Sequence, residues 1–382
     1  MSFGNVFRRE TVAAHAAGAY DHATGGLVSA WQPSTTFLRD ADYRLPASGD
    51  LYRRDHNPTT REAEAVIGAL EGGRAALFGS GQSAISALMR AYGTGPVAVQ
   101  TGGYYGTQTL AARHAANGLR VATFAGDRFD SLLSMLERER PALVIVETPS
   151  NPFLDVVDIA RAAEAVHAAG GVLAVDSTAA TPILTRPLEH GADIVIHSAT
   201  KALNGHSDVL AGALVVGTER VEGFETALAT RAAEGCVLSP FDAWLLTRGM
   251  RTLHLRVAAM SRSALAIATF LAAHPKVERV RYPGLADHPA HAAAARQMTG
   301  GFGGLVSFDV AGGAAAALAV AGRLALIRRA TSLGGVESVV EHRHSIEPAS
   351  TGMPEGLLRL SVGIEATEDL ITDLDQSLAA LP

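Results

Sequence analysis

Lys201 lies in the segment 197–208, which reads HSATKALNGHSD. It is one of two lysines in the chain, the other being Lys276, while arginine supplies nearly all of the remaining positive charge. Ser198 and Thr200 place hydroxyl groups beside it. An amine held among small polar side chains can attack a carbonyl group or carry a proton. Because most lysines are solvated surface charges, this segment is a weak signal unless other reactive groups lie near it.

Other polar or reactive residues also follow short apolar runs. Gly81 and Gln82 belong to GSGQSAIS, which follows AALF, and Tyr105 belongs to TGGYYGTQ, which follows VAVQ. Asp176 ends VLAVD, TPSNP follows LVIVE, and SATK follows DIVIH. In open α/β sheets, ligands bind beyond the carboxyl ends of the strands. These segments are therefore expected to meet at one edge of a sheet.

The glycine-rich segment could be mistaken for a dinucleotide-binding loop. Gly79, Gly81 and Ala84 give the pattern G-x-G-x-x-A between a strand and a helix. An NAD site also needs an acidic residue about 20 positions later. The sequence has no Asp or Glu between Glu71 and Asp127, which argues against NAD. Backbone N–H groups at the start of the helix could still bind a phosphate.

Together these residues provide what pyridoxal 5′-phosphate (PLP) requires. Its aldehyde condenses with a lysine and its ring nitrogen pairs with a carboxylate, groups that Lys201 and Asp176 supply. Tyr105 offers a flat ring against which the cofactor could stack. Taken singly, an Asp after a strand is often a helix cap, and a tyrosine more often packs against other side chains than stacks on a cofactor. Their occurrence at successive strand ends favours a PLP site with Lys201 as its lysine.

The segments that must position these groups alternate between β-rich and helical runs. Seven runs read as strands: AALF, VAVQ, RVATF, LVIVE, VLAVD, DIVIH and ALVVG. Such alternation predicts an α/β fold with a mostly parallel sheet, and the apolar strands indicate burial on both faces. The run TTREAEAVIGALEGG predicts a helix with a Thr cap and a terminal Gly. From residue 239 onward we expect a long helix or helix pair, then strands GLVSFDV and LLRLSVGIE.

These patterns divide the chain into three parts. Residues 1–55 are polar and turn-rich and predict an extended arm. Residues 56–246 form the predicted PLP-binding α/β domain, and residues 247–382 form a smaller α+β domain.

Composition narrows the possible functions. The 382 residues are 48% hydrophobic and carry a formal charge of −6 without a basic block, so neither nucleic acid nor a membrane surface is an expected partner. No signal-peptide pattern and no apolar run long enough to span a membrane is found. Cys236 is the only cysteine, so no intrachain disulfide can form. A cytoplasmic location is expected, and no metal site is predicted.

The chain resembles the Cys/Met metabolism family of PLP-dependent enzymes, which includes cystathionine γ-synthase, cystathionine γ- and β-lyase and methionine γ-lyase. The matching motifs are LYRRDHNPTTREAE, ETPSNPFLDVVDI, GADIVIHSATKALNGHSDVLAGALVV, SLGGVES and LLRLSVGIE. The long HSATK…GHSDVL match is the most specific. The resemblance implies a type I PLP-dependent transferase fold, a small amino-acid substrate and a homotetramer built as a dimer of dimers.

The resemblance also assigns the cofactor contacts. Lys201 would hold the cofactor and move protons, Asp176 would pair with the ring nitrogen, and Tyr105 would stack on the ring and assist proton transfer. Asn151 would contact the O3′ side of the cofactor and the substrate. The phosphate would be bound by residues of this chain and by two from the arm of a neighbouring subunit: Gly81, Gln82, Ser198 and Thr200, then Tyr52 and Arg54. Gln82 replaces the Met or Leu usual in the family.

The resemblance to the family also assigns the substrate-binding residues. Arg359 would bind the α-carboxylate, and Ser332 would help to line that site. In the cystathionine enzymes an Arg that recognises a distal carboxylate commonly lies five residues after the stacking Tyr, and that position is Leu110 here. Arg113 or Arg343 could supply the charge from another direction. Residues 342–356 also depart from the family pattern HP.xMTH.

The expected reaction is γ-elimination or γ-replacement on a γ-substituted L-amino acid. Because of Leu110, we expect a substrate without a distal carboxylate, as for methionine γ-lyase or a specialised biosynthetic lyase. Cystathionine synthesis or cleavage in transsulfuration is the alternative within the family. A PLP-fold protein that binds without turnover is the alternative outside it, and the intact Lys201, Asp176, Tyr105 and Arg359 argue against that reading. Sequence does not separate elimination from replacement, because both share the first steps.

Overall fold

The computed structural model describes residues 6–217 and 221–382. Within these residues the helices are α1 (Arg9–Ala14), α2 (Pro58–Glu71), α3 (Gly81–Ala91), α4 (Tyr105–Ala116), α5 (Phe129–Glu139), α6 (Ile159–Ala168), α7 (Thr181–Leu184), α8 (Glu222–Glu234), α9 (Pro240–Met250), α10 (Leu253–Ala272), α11 (His291–Gln297), α12 (Gly313–Arg323) and α13 (Thr367–Ala379). The strands are β1 (Arg74–Phe78), β2 (Val97–Thr101), β3 (Val121–Ala125), β4 (Leu143–Glu147), β5 (Val172–Asp176), β6 (Ile194–His197), β7 (Gly212–Val216), β8 (Val277–Arg281), β9 (Leu305–Val310), β10 (Arg328–Arg329), β11 (Val339–His342) and β12 (Leu357–Ser361).

The larger sheet has seven strands in the order β1-β7-β6-β5-β4-β2-β3. All neighbours are parallel except β7, which runs antiparallel to β1 and β6. Its strands are mostly apolar, as expected where both faces of a sheet are covered, and two separate clusters of buried side chains lie on it. All seven strands predicted from the sequence are present. The predicted α/β class with a mostly parallel sheet is confirmed.

Because β4, β5 and β6 run parallel, their carboxyl ends reach the same edge of the sheet. In register, Glu147 at the end of β4 lies opposite Asp176 at the end of β5. The next residues of β5 and β6 continue directly into loops, and the loop after β6 carries Lys201. The strand order therefore brings the polar segments of the sequence to one edge.

The second sheet has five strands in the order β10-β11-β12-β9-β8 and is mostly antiparallel. It packs with α10, α12 and α13 around its own apolar core. The predicted strands GLVSFDV and LLRLSVGIE correspond to β9 and β12, and the predicted helix pair corresponds to α9 and α10. Leu246, where we placed the domain boundary, lies inside α9.

Helix α10 has the length and apolar composition of a membrane-crossing helix, and it is the only such helix among residues 6–217 and 221–382. Half of its most apolar window is buried inside the fold. Its buried residues contribute to the cores on both sides of it, as Leu253 and Val257 do toward the first domain and Ala264 and Ile267 toward the second. The helix therefore joins the two cores.

From residue 6 to α2 the chain contains α1 and a 3₁₀ turn at Ala16–Gly18 and is otherwise mostly irregular. It folds back on the body through specific contacts: Arg9 donates to the carbonyl of Pro182 at 2.6 Å, and Trp244 donates to the carbonyl of Ser29 at 3.0 Å. Helix α2 is capped by Asn57, whose side chain accepts N–H groups of Thr59 and Thr60. The predicted Thr cap is wrong, because Asn57 followed by Pro58 makes the stronger start.

Candidate active site

A cavity of about 190 Å³ lies at the carboxyl edge of the larger sheet, and β11 and β12 of the second domain close its other side. Ten of the thirteen predicted site residues line it: Gly81, Gln82, Tyr105, Asn151, Asp176, Ser198, Thr200, Lys201, Ser332 and Arg359. A larger groove of about 690 Å³ runs from Thr101 to Ala290 and contains none of them. The reactive groups therefore identify the smaller cavity as the site.

Lys201 follows β6 and is largely buried in the cavity. Its Nζ donates to Ser332 Oγ at 2.8 Å. Burial, and then the charge of Arg359, lowers the pKa of Lys201 to about 8. A lysine with this pKa has a sizeable neutral fraction near neutral pH, as a nucleophile or a general base needs.

Ser332 connects Lys201 to the carboxylate-binding side of the cavity. While its hydroxyl accepts from Lys201, its carbonyl accepts from Arg359 Nη2 at 2.6 Å. Its φ is +104°, a backbone conformation that non-glycine residues rarely adopt. Strain of this kind persists only where the surrounding contacts enforce it. For Ser332, the surrounding contacts include the hydrogen bonds from Lys201 and Arg359.

The predicted phosphate loop lies at the start of α3. Ser80 caps the helix by accepting the N–H of Ser83, and the first two residues of the helix, Gly81 and Gln82, line the cavity. The first N–H groups of a helix have no partner within the helix and can bind an anion. A Cβ on Gly81 would come within 3.1–3.3 Å of Ser198, so a larger residue here would require Ser198 to shift. Gln82 Oε1 is buried and has no hydrogen-bond partner. This unpartnered oxygen lines the cavity at the predicted phosphate loop.

Two carboxyl groups lie side by side at the ends of β4 and β5. Asp176 Oδ1 accepts from the N–H and hydroxyl of Thr178 at 3.0 and 2.5 Å. Glu147 accepts the backbone N–H groups of Tyr104 at 2.6 Å and Asn151 at 2.9 Å. Burial raises the pKa of Asp176, and burial with the nearby Asp176 charge raises the pKa of Glu147 to about 8. A cationic ring nitrogen beside Asp176 would offset this cost.

Glu147 was missed as a site residue by the sequence analysis. It holds the turn before Tyr105 and the loop at Asn151 with one oxygen each, so it fixes the positions of two predicted site residues. In the sequence it is only the last residue of LVIVE. Its in-register position beside Asp176 was the available signal, because adjacent parallel strands end together.

Arg359 lies on β12 and is 2% exposed. Its Nη1 donates to Asn151 Oδ1 at 3.1 Å, its Nη2 lies 2.9 Å from Glu341 Oε2, and its Nε is buried without a partner. Burial lowers the pKa of Arg359 to about 10, so it remains cationic at neutral pH. A buried guanidinium with an unused donor is suited to binding a carboxylate.

A second guanidinium, Arg343, also lines the cavity, and its carbon lies 5.9 Å from the centre of the Tyr105 ring. Arg343 is paired with Glu341 and Glu347, and all three side chains are buried. The sequence analysis named Arg343 only as a possible source of charge, and it missed both glutamates. Burial alone would lower the pKa of Arg343, but Glu341 and Glu347 together raise it.

Three predicted site residues do not line the cavity. Tyr52 and Arg54 lie in the irregular N-terminal region, where the Arg54 guanidinium stacks 5.2 Å from the Tyr52 ring centre, and both are exposed. Leu110 packs against the apolar cluster beneath α3 and α4 instead of facing the substrate space. Five residues along a helix rotate a side chain by about 140° from its starting direction. Leu110 therefore lies on a different face of α4 from Tyr105.

The chemistry of the donor set fits PLP. The cavity has an amine, a carboxylate at a strand end, an aromatic ring and a helix start at Gly81 that packs closely against Ser198. When bound, PLP withdraws electrons from the α-carbon of an amino acid. Lys201 and Asp176 would hold its two ends, and the N–H groups of α3 would hold its phosphate.

Comparison with known proteins agrees with this fit. The family described as Cys/Met metabolism PLP-dependent enzyme matches residues 10–379. The chain belongs to this family. PLP is therefore its cofactor, and the predicted family, enzyme class and cofactor are confirmed.

Relatives with three different activities resemble the chain to a similar degree. A cystathionine gamma-lyase from Dictyostelium discoideum is 39% identical, over 99% of this chain and 99% of that protein. The structure of a cystathionine gamma synthase from Xanthomonas oryzae pv. oryzae has a TM-score of 0.93 at 37% identity, covering 98% of both chains. That of a methionine gamma lyase from Micromonospora echinospora has a TM-score of 0.91 at 37% identity, covering 98% of this chain and 100% of the other.

Proposed function

We propose that this enzyme catalyses γ-elimination or γ-replacement on a γ-substituted L-amino acid that has no distal carboxylate. Lys201 would take the α proton, and its near-neutral pKa supports that role. A second proton then leaves Cβ, and the γ substituent departs with its bonding electrons. Hydrolysis gives a 2-oxoacid and ammonia in elimination, whereas a nucleophile adds at Cγ in replacement.

The charges of the cavity support the restriction on the substrate. Three cationic side chains line it among the described residues: Lys201, Arg343 and Arg359. Lys201 serves the cofactor and Arg359 is assigned to the α-carboxylate. Arg343 is already neutralised by Glu341 and Glu347. A second substrate carboxylate would therefore enter the cavity without a free cation, at a desolvation cost.

Cystathionine synthesis or cleavage is the second candidate, and the names of the relatives favour it. A hydrogen bond to a charged group contributes about 1.5–3 kcal/mol. At about 1.36 kcal/mol per factor of ten, one missing contact to the distal carboxylate lowers kcat/KM for cystathionine roughly tenfold to a hundredfold.

We expect kcat/KM for L-methionine, O-acetyl-L-homoserine or 2-amino-4-chlorobutanoate to exceed that for L-cystathionine by at least about tenfold. Formation of 2-oxoacid and ammonia measures elimination, and a thioether product formed with an added thiol measures replacement. Leu110→Arg serves as a control. Because Leu110 packs against the core, this substitution is not expected to increase turnover of cystathionine. A tenfold preference for cystathionine would rule out the proposed substrate class.

The exposed N-terminal region supports a proposed dimer, assembled further into a tetramer. Leu27, Leu38 and Tyr43 are 83%, 90% and 78% exposed, and Tyr52 and Arg54 are exposed and do not line the cavity of their own chain. Exposed apolar side chains of this size are typical of a surface that a partner covers. A second copy could bring Tyr52 and Arg54 to the phosphate end of its neighbour.

Arg54→Ala is expected to weaken PLP retention about tenfold or more, because a charge-assisted contact to a phosphate would be lost. Cofactor release during dialysis, followed by absorbance, measures this effect. Arg44→Ala is the matched control, since Arg44 is an exposed arginine of the same region, paired at the surface with Asp42. A fully active monomer in sedimentation would contradict the proposed assembly.

A further inference from the structure

Glu341 contacts both guanidinium groups of the substrate cavity through a single oxygen. Its Oε2 lies 2.9 Å from Arg359 Nη2 and also accepts from Arg343 Nη1, whereas its Oε1 is buried without a partner. Glu341 lies directly opposite Arg359 in the pairing of β11 with β12, so their side chains occupy the same face of the sheet. The two arginines therefore compete for one carboxylate.

The contacts of Arg359 show how Glu341 would affect the binding of a substrate carboxylate. Its Nη2 donates to the carbonyl of Ser332 and lies 2.9 Å from Glu341 Oε2 in an ion pair, and its Nη1 donates to Asn151 Oδ1. Its Nε is buried without a partner. A bidentate grip on a carboxylate needs two neighbouring N–H groups. A substrate carboxylate that uses the edge formed by Nε and Nη2 would meet the negative charge of Glu341 beside Nη2, so the two carboxylates compete for this guanidinium.

Arg343 gives Glu341 another partner. It is anchored by Glu347, which accepts from both Nε and Nη2 of Arg343, so its remaining terminal nitrogen stays directed at Glu341. Arg343 and Glu347 both lie in the segment 342–356 that departs from the family pattern, and they pair with each other. Their pairing keeps a buried cation within reach of Glu341 when Arg359 changes partner.

We propose that Arg343 is a positioning residue that draws Glu341 away from Arg359 and so frees Arg359 for the α-carboxylate of the substrate. This inference rests on the assignment of Arg359 to that carboxylate in the proposed function. Glu341 acts as an internal carboxylate that satisfies Arg359 in the empty cavity. Substrate binding then exchanges one carboxylate on Arg359 for another, and Glu341 keeps a guanidinium partner throughout.

The test measures binding without turnover. Isothermal titration calorimetry on the PLP-loaded enzyme would use L-norvaline, which has no leaving group at Cβ or Cγ, and n-butylamine, which is the same molecule without the carboxylate. The ratio of the two dissociation constants isolates the carboxylate contact. Since neither probe is a substrate for γ chemistry, failure of the proposed reaction would leave this measurement intact.

The decisive variants remove the anchoring pair together, which avoids leaving Glu347 buried and unpaired. Arg343→Met with Glu347→Gln should weaken norvaline binding at least tenfold and leave butylamine binding within about twofold, because Glu341 then has only Arg359 as its partner. Adding Glu341→Gln to this variant should restore norvaline binding to within about threefold of the unsubstituted enzyme. A purely structural or direct-contact role for Arg343 predicts no restoration, and that result would overturn the proposal.

Two single variants decide the matter if the paired variant does not fold. Glu341→Gln alone should tighten norvaline binding, since it removes the competing charge from Arg359. Glu347→Gln alone should leave norvaline binding unchanged or tighter, since the amide oxygen of glutamine can still accept from Arg343 while the carboxylate that competes with Glu341 for Arg343 is removed. Weaker norvaline binding in either single variant, with butylamine unaffected, would show that Glu341 does not compete with the substrate.

Discussion

Lys201→Ala is expected to lower kcat at least about a thousandfold on any substrate of the enzyme. General acid–base catalysis by one positioned group contributes roughly 10²–10⁴-fold, and this variant would also lose the covalent anchor that we propose for the cofactor. Lys201 is the only lysine that lines the cavity among residues 6–217 and 221–382. Steady-state formation of 2-oxoacid measures the loss. Reduction with borohydride should fix PLP to the unsubstituted enzyme and leave Lys201→Ala unlabelled.

Lys276→Ala provides the matched control, because Lys276 is the only other lysine of the chain. Its Nζ contacts Pro382 in the second domain, and Lys276 does not line the cavity. This variant should keep its activity and its borohydride-fixed label. A label that persists in Lys201→Ala and disappears in Lys276→Ala would show that Lys276, and not Lys201, binds the cofactor.

The larger sheet could be predicted from sequence because its strands are buried on both faces. Runs such as LVIVE and VLAVD are apolar without interruption, and they stand between helices with clear periodicity. Their shared direction predicts that Asp176 and Lys201 lie at one edge, and the cavity is lined by both. Strand ends therefore sufficed to bring together most of the residues that we propose for the cofactor.

Three strands of the second sheet were not predicted, since they do not show the apolar pattern. Strand β8 reads VERVR and has exposed residues in its middle, and β10 contains only two arginines. Strand β11 reads VVEH and is fully buried although it contains Glu341 and His342. A buried charge is stable only with a partner, and Glu341 is paired with Arg343 two residues later and with Arg359 on the neighbouring strand. Local sequence does not show that these side chains are buried together.

The substrate side shows the same limit. Leu110 was chosen because it occupies the position of an arginine in the cystathionine enzymes, but five positions along a helix turn its side chain about 140° away from the direction of Tyr105. Arg343 had no comparable signal, because its role depends on Glu341 and Glu347 being buried with it. The proposal that the substrate has no distal carboxylate thus depends on Glu341, Arg343 and Glu347, which come together only in the folded structure.

Arg359→Met is expected to lower kcat/KM at least about a hundredfold, mainly through KM. Two hydrogen bonds to a charged group contribute about 1.5–3 kcal/mol each, and both would be lost with the guanidinium. Methionine fills a similar volume without a charge, and Glu341 keeps Arg343 as its partner. The substitution leaves Asn151 Oδ1 and the carbonyl of Ser332 without a donor, which costs stability as well.

Two controls separate binding from stability in the Arg359→Met experiment. Arg281→Met removes another buried guanidinium of the same sheet, which pairs with Asp309 at 2.8 Å outside the cavity. It should lower the midpoint of urea unfolding without raising KM. Arg359→Lys keeps the charge but lacks the planar pair of donors, so its kcat/KM should lie between those of Arg359→Met and the unsubstituted enzyme. If Arg359→Met raises KM no more than Arg281→Met does, the α-carboxylate must be bound elsewhere in the cavity.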